Sequence, residues 1–294
     1  MSNRLVVPLV AVAAVFWGAN FNLAPMVLAD MPPLWGAAGR FLIAALVMTA
    51  AAAAFRQDPI RFTLKHVRPL FILGTLGIAG FNLPFYWAMQ STSPINAALI
   101  MATNPLLTAA LATLFLGEGL SVRNLATLPL ALAGVAAVVL GTGQAGTLTF
   151  NHGDLLMMAA NLAWAGYNVM SRRLMPAGAP FAATAGTMAA GALVLTVAAL
   201  AGAGMPPVPG PKAGAALLVM AVGGSALAYL FWAQGIRTLG AARTSLLLNL
   251  VPVTTMVLSS LDGLPPTPAQ GAGGLMVLVA VTLSALPDRK AARS

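Results

Sequence analysis

The chain has 294 residues, of which 59% are apolar and only 7% charged, with a formal net charge of +9. Soluble chains run at roughly 45–50% apolar and about 25% charged, so this one carries too few charges to build a water-facing surface. Without cysteine it has no disulfide framework, thiolate metal site, iron–sulfur cluster or cysteine nucleophile, and its 15 basic residues lie in ones and twos at the ends of apolar tracts, which speaks against nucleic acid.

Breaking the sequence where charges, Pro and Gly cluster predicts ten membrane-crossing helices, each near the ~20 residues that span ~30 Å of hydrocarbon. The first, near 5–28, follows Arg4 and carries Trp17, Asn20 and Pro25; its length, and the similar runs after it, separate it from a signal peptide. The second, near 33–54, contains Arg40, about seven residues from its outer end. The third, near 69–90, holds Gly74, Gly77 and Gly80, spaced for close approach to a neighbour, then Asn82, Pro84 and Tyr86. In the fourth, near 95–116, Thr103 and Asn104 stand just before Pro105, and the fifth, near 124–141, contains Pro129. The sixth, near 154–174, aligns Asn161, Trp164 and Asn168 at i, i+3 and i+7 on one face. A seventh span near 181–201 precedes an eighth near 213–236 with Ser225, Tyr229 and Trp232. The ninth, near 242–261, offers Ser245, Asn249 and Pro252, and the tenth lies near 268–286.

Lys and Arg alternate between the loops. One side holds thirteen: Arg4; Arg56, Arg61, Lys65 and Arg68; Arg123; Arg172 and Arg173; Arg237 and Arg243; Arg289, Lys290 and Arg293. The other holds Lys212 alone, which predicts that both termini are cytoplasmic. The connections leave no room for an extramembrane domain.

The halves resemble each other faintly. Phe85-Tyr86-Trp87-Ala88 is matched about 145 residues later by Leu230-Phe231-Trp232-Ala233. Pro105 is matched by Pro252, Trp17 by Trp164, and the exit Leu116-Gly117-Glu118-Gly119-Leu120 by Leu261-Asp262-Gly263-Leu264. Five spans per half is an odd number, so the second copy must be inverted. The expected organisation is an all-α integral membrane protein of two inverted five-helix repeats, residues 1–145 and 146–294. In such repeats substrate sites lie near the midplane, and Trp17 and Trp164 both fall roughly 15–18 Å deep by helical rise.

At this point the chain resembles the EamA-type transporters of the drug/metabolite transporter superfamily. The resemblance rests on Phe16-Trp17-Gly18-Ala19-Asn20, Gly39-Arg40-Phe41-Leu42-Ile43-Ala44-Ala45 and Gly117-Glu118, with smaller contributions from Ala163-Trp164-Ala165 and Leu283-Ser284. Within that superfamily it looks most like bacterial exporters of aromatic amino acids. The resemblance implies export of small metabolites across a bacterial inner (plasma) membrane.

Polar side chains inside spans are costly in lipid and face the bundle interior or a watery cavity. Candidate substrate-binding residues are therefore Trp17, Asn20, Asn82, Tyr86, Thr103, Asn161, Trp164, Asn168, Tyr229, Trp232, Ser245 and Asn249. For any single Asn, Ser or Thr the competing reading is interhelical glue, and for Tyr86, Tyr229 and Trp232 it is anchoring at the membrane interface. A lining of amides, hydroxyls and aromatic faces suits a substrate with an apolar body and a polar end, such as an amino acid. Arg40 has two readings: snorkelling to the outer interface towards Asp30, or attraction of a substrate carboxylate. Pro105 and Pro252 are expected hinges for a rocking motion, against static kinks.

All six acidic residues, Asp30, Asp58, Glu118, Asp154, Asp262 and Asp288, fall in loops or at helix ends, as do His66 and His152. Proton relays use such groups within the membrane, so the expectation is an uncoupled facilitator working by alternating access. The alternative is a multidrug or other metabolite carrier of the same fold, with proton coupling. No HExxH, GxSxG or acidic pair is present, so no enzyme is expected, and neither are a cofactor, a metal or a nucleic-acid partner. The expected partners are a small-molecule substrate and the lipid bilayer, with the protein a monomer.

Overall fold

In lipid every backbone amide must bond within its own segment, and a chain this apolar meets that demand with helices. The computed structural model of the chain describes residues 3–117, 122–140, 151–239, 244 and 247–285, and among them all regular structure is helical. Helix α1 spans Asn3–Leu28 and α2 Pro33–Ala54. A short α3 (Pro59–Lys65) starts where the Asp58 side chain accepts from the Arg61 amide at 3.0 Å. Helix α4 (Val67–Gly74) continues through a π-helical segment, Thr75–Ala79, into α5 (Gly80–Ala88). Helix α6 (Pro94–Met101) stops and α7 (Asn104–Leu116) resumes, followed by α8 (Val122–Leu140). In the second half come α9 (His152–Leu174), α10 (Pro180–Ala203), and α11 (Pro211–Ala221), which runs through a second π segment, Val222–Leu227, into α12 (Ala228–Leu239). A 3₁₀ turn, Leu247–Asn249, leads into α13 (Leu250–Leu261), and α14 covers Pro268–Ala285.

Each segment expected to be helical is helical over most of its described residues, with turns at 89–90 and 102–103. Val6–Leu28, Pro33–Ala54, Val67–Ala88, Pro94–Leu116, Pro180–Ala203 and Pro211–Leu239 are long and apolar enough to cross a membrane, while Leu247–Leu261 and Pro268–Ala280 are apolar but shorter. Proline sets many of the starts. Helices α2, α3, α6, α7, α10 and α11 all carry Pro in the first turn, where its missing N–H costs nothing. The same chemistry breaks the fourth span: Pro105 has no N–H to return to the Met101 carbonyl, so α6 ends and α7 begins beside it. Pro252 stands just inside α13, after the 3₁₀ turn.

Helix α2 packs along α10, α8 along α14, α5 and α7 against α9, and α1 against α11, α12 and α13. Small residues make the long contacts possible. A Cβ on Gly74 would sit 2.5 Å from the Thr187 carbonyl of α10, and one on Gly134 2.7 Å from the Gly273 carbonyl of α14. Gly77 also makes a close approach, to the Tyr167 ring, whereas Gly80 makes a looser one, with its nearest atoms at 3.3–3.5 Å. Large apolar side chains point outward, Leu46 at 71% and Leu114 at 74% exposure, a surface suited to acyl chains rather than water.

Candidate functional site

Where α1, α5, α9 and α12 converge, aromatic rings close on a small cavity. The two tryptophans that fall at the same depth in sequence meet there: Trp17 and Trp164 rings lie 5.5 Å apart, edge to face. Tyr229 completes the cage, 6.0 Å from Trp17 and 5.4 Å from Trp164. Phe81, Phe85 and Phe21 form further walls, and Asn20 and Arg40 supply the polar surface. The enclosed volume is about 40 Å³. At about 10–15 Å³ per water, that holds a few waters and no amino acid.

The two π segments build this site. A π turn leaves backbone groups free for partners outside the helix, and such turns recur at functional positions. The Gly224 carbonyl accepts from Trp17 Nε1 at 2.9 Å and from Arg40 Nη2 at 3.0 Å. Its counterpart, the Gly77 carbonyl, lies 3.5 Å from the Tyr229 hydroxyl. Both glycines are forced by proximity: a Cβ on Gly224 would lie 2.3 Å from Asn20 Oδ1, and one on Gly77 2.2 Å from the Tyr167 ring. Without a side chain at these positions, α1 can press on the second π segment and α9 on the first.

Arg40 does not snorkel. It is 3% exposed, with Nε donating to Ser225 Oγ at 2.7 Å and Nη1 to Asn82 Oδ1 at 3.3 Å, and its guanidinium lies 5.1 Å from the Phe41 ring centre. Asp30, the expected outer partner, instead accepts from the Gly210 amide at 2.8 Å. The freed carbonyl of the eighth span, Gly224, offers Arg40 a nearer acceptor than the membrane interface does.

The amides of α6–α7 and α9 are placed elsewhere. Asn161 donates to the Ile100 carbonyl and to Thr103 Oγ1, both at 2.9 Å. Asn104 donates to Asn161 Oδ1 at 2.8 Å, and its own Oδ1 accepts from Asn168 and Thr108 at 3.1 Å. Thr103, Asn104, Asn161 and Asn168 thus stitch the α6–α7 break to α9 and lie outside the cavity lining. At the break they satisfy the Ile100 carbonyl, which accepts from Thr103 and Asn161. Asn82 is spent on Arg40 and on the Ile78 carbonyl. Tyr86 is wholly buried, its hydroxyl facing Met220 Sδ at 3.9 Å. Asn249 keeps a buried, unpartnered Oδ1 at the 3₁₀ turn, and Ser245 lies outside the described residues.

A second cavity, about 280 Å³, adjoins the cage at the end where Arg172 and Arg237 lie. Tyr167, Trp232, Met175 and Ile236 line it, and Tyr229 belongs to both cavities, so its ring is the partition between them. Buried indole N–H groups of Trp164 and Trp232 have no partner. Phe21, Phe81, Phe85, Met101, Leu248 and Val251 on the central wall escaped the sequence reading, because an apolar lining residue looks like any core residue. The nearest available signal was the i, i+4 pairing of Phe81 and Phe85.

In the first turn of α9, Asp154 is fully buried and Thr92 Oγ1 donates to its Oδ1. Among the described residues no acidic side chain lines either cavity. Among the described residues no group of three or more His, Cys, Asp or Glu is placed to hold a metal.

The profile of the EamA-like transporter family matches residues 4–140 and again 151–286. The uncharacterized transporter YyaM of Bacillus subtilis (strain 168) is 36% identical over 275 residues, covering 91% of this chain and 89% of its own. The uncharacterized inner membrane transporter YedA of Escherichia coli (strain K12) is 26% identical over 251 residues, covering 84% and 79%. A probable terminal-alkyne amino-acid exporter of Streptantibioticus cattleyicolor is 24% identical over 256 residues, covering 85% and 84%. A crystal structure superposes with a TM-score of 0.73 over 96% of this chain and 97% of that one at 23% identity, a likeness of fold alone.

Proposed function

Because the chain belongs to the EamA-like transporter family, we propose that it exports amino acids, aromatic and other neutral ones, or similar small metabolites across the inner membrane by uncoupled alternating access. The observation that carries this reading is the cage of Trp17, Trp164 and Tyr229, with Asn20 beside it. Rings from both halves surround a space suited to an apolar body, and an amide is available for a polar end.

The architecture behind it is ten spans in two inverted repeats, residues 1–145 and 146–294, with both termini cytoplasmic. One offset of 147 residues relates Trp17 to Trp164, Gly77 to Gly224 and Pro105 to Pro252, and it also relates Asn20 to Tyr167, the residues that press on those two glycines. The two separate matches of the family profile fit the same division.

On this reading the larger cavity is a cytoplasmic vestibule, since it lies at the basic end. Substrate passes from it to the cage when Tyr229 swings aside, and the contracted central space opens as the broken spans rock at Pro105 and Pro252. Trp232 and Tyr167 guide the apolar body along the vestibule. With no acid on either wall, no proton relay accompanies the cycle.

Uptake of radiolabelled amino acids into proteoliposomes, one at a time, tests this directly. Downhill entry of neutral and aromatic amino acids is expected. Exclusion of every amino acid with entry of a cationic dye would show a multidrug carrier instead.

A further inference from the structure

Resting on the reading of the cage as the transport site, we infer that the site selects its substrate by a carboxylate held on Arg40, and that an α-amino group is dispensable. The transported class is then monocarboxylates with an aromatic or branched apolar body, of which amino acids are one kind.

The argument begins with charge. Arg40 is 3% exposed and lines the cage, and none of its three bonds goes to an anion: the acceptors are a hydroxyl, an amide oxygen and a backbone carbonyl. Among the described residues no carboxylate pairs with it, and Asp30 is engaged at Gly210. A buried cation without a counter-ion is costly, and an arriving anion relieves that cost. Guanidinium carries five N–H donors. Three serve Ser225, Asn82 and Gly224, and the Tyr86 hydroxyl also neighbours the group, which leaves donor capacity on the terminal nitrogens for a carboxylate oxygen. Ser225, Asn82 and Gly224 hold the group in place, so little side-chain freedom is lost on binding.

An ammonium finds no such partner. Among the described residues no Asp or Glu lines the cage or the vestibule, and at the vestibule end Arg237 favours anions. The polar group left is Asn20, 4% exposed, on the cage wall and without a hydrogen-bond partner. Its amide accepts from an amino or hydroxyl group and donates to a carbonyl oxygen with equal ease. Substitution at the α-carbon is therefore tolerated, whereas loss of the carboxylate is not.

Binding to the purified, detergent-solubilised protein separates these roles without interference from passive permeation. The probes are phenylalanine, 3-phenylpropionate, which lacks the amine, and phenethylamine, which lacks the carboxylate. Phenylalanine and 3-phenylpropionate are expected to bind within several-fold of each other, and phenethylamine about tenfold to a hundredfold more weakly, the worth of a charge-assisted hydrogen bond. Arg40→Gln should weaken both acids by a similar factor and leave phenethylamine unchanged; a merely structural role would weaken all three alike. If Arg40→Gln does not fold, Arg40→Lys and the three-ligand comparison on the unaltered protein decide. Binding of phenethylamine as tight as that of phenylalanine, or failure of 3-phenylpropionate where phenylalanine binds, overturns the inference and leaves amino-acid export standing. Binding of 3-phenylpropionate without amino-acid uptake rejects the amino-acid reading and keeps the carboxylate. Absence of binding by both acids removes both.

Discussion

Two polar regions of this protein are built from the same kinds of residue and do opposite things. At the α6–α7 break, Thr103, Asn104, Asn161 and Asn168 bond to one another and to the backbone, and among the described residues Asn168 Oδ1, away from both cavities, is the one side-chain atom of the four left without a partner. In the cage, among the described residues, no hydrogen bond engages the Asn20 side chain, the Trp164 indole N–H has no partner, and Arg40 retains donor capacity. A polar side chain inside a membrane is no signature of a pathway. The signature is hydrogen-bonding capacity left unspent beside a cavity, because a group that is already satisfied gains nothing from a substrate.

That contrast can be broken most forcefully at Trp17. Trp17→Ala removes a cage wall of large apolar area, about 1.5–3 kcal/mol of contact, so transport should fall roughly tenfold to a hundredfold while the protein still elutes as a folded species. Unchanged uptake in that variant would place the site elsewhere.

Asn161→Ala attacks the other region. It should lower stability by about 1–3 kcal/mol, seen as a lower thermal midpoint, because Thr103 and Asn104 lose their partner. Uptake per folded molecule should stay within about twofold, the range left to a group that makes no substrate contact. A large transport defect at normal stability would erase the distinction between the two regions.

Asn20→Ala sharpens it with the reverse pattern. With no bond to lose, stability should fall by less than about 1 kcal/mol, while substrate affinity drops by up to about tenfold. The smallest effect is expected from an imposed pH gradient. With no acid on either wall it should leave the final distribution of substrate unchanged, and accumulation against the concentration gradient would identify a coupled carrier.

Much of this was legible in the sequence. The helix boundaries emerge because apolar runs, Pro starts and charged ends are local features, and the structure reproduces 33–54 as Pro33–Ala54. Trp17 and Trp164 were legible as a pair because depth follows from rise along a straight helix. The π segments were not, although Gly77 and Gly224 mark them, since a glycine says only that something comes near. The snorkelling reading of Arg40 fails for a related reason: its distance along the helix placed it within reach of the interface, and nothing local told of the Gly224 carbonyl 184 residues away.

The sequence by itself determined the solvent and most of the helix limits among the described residues, and it carries the charge pattern behind the expected sidedness. Each of these follows from composition or from spacing within a single segment, since a lipid environment imposes its cost residue by residue. Only the tertiary structure decided which polar groups are occupied and which remain free. Asn20 and Asn161 are the same residue type at similar cost in lipid, and their partners, or lack of them, come from helices far away in the chain. Hydrogen-bond satisfaction is a property of packing, so the difference between glue and binding site exists only once the bundle has formed.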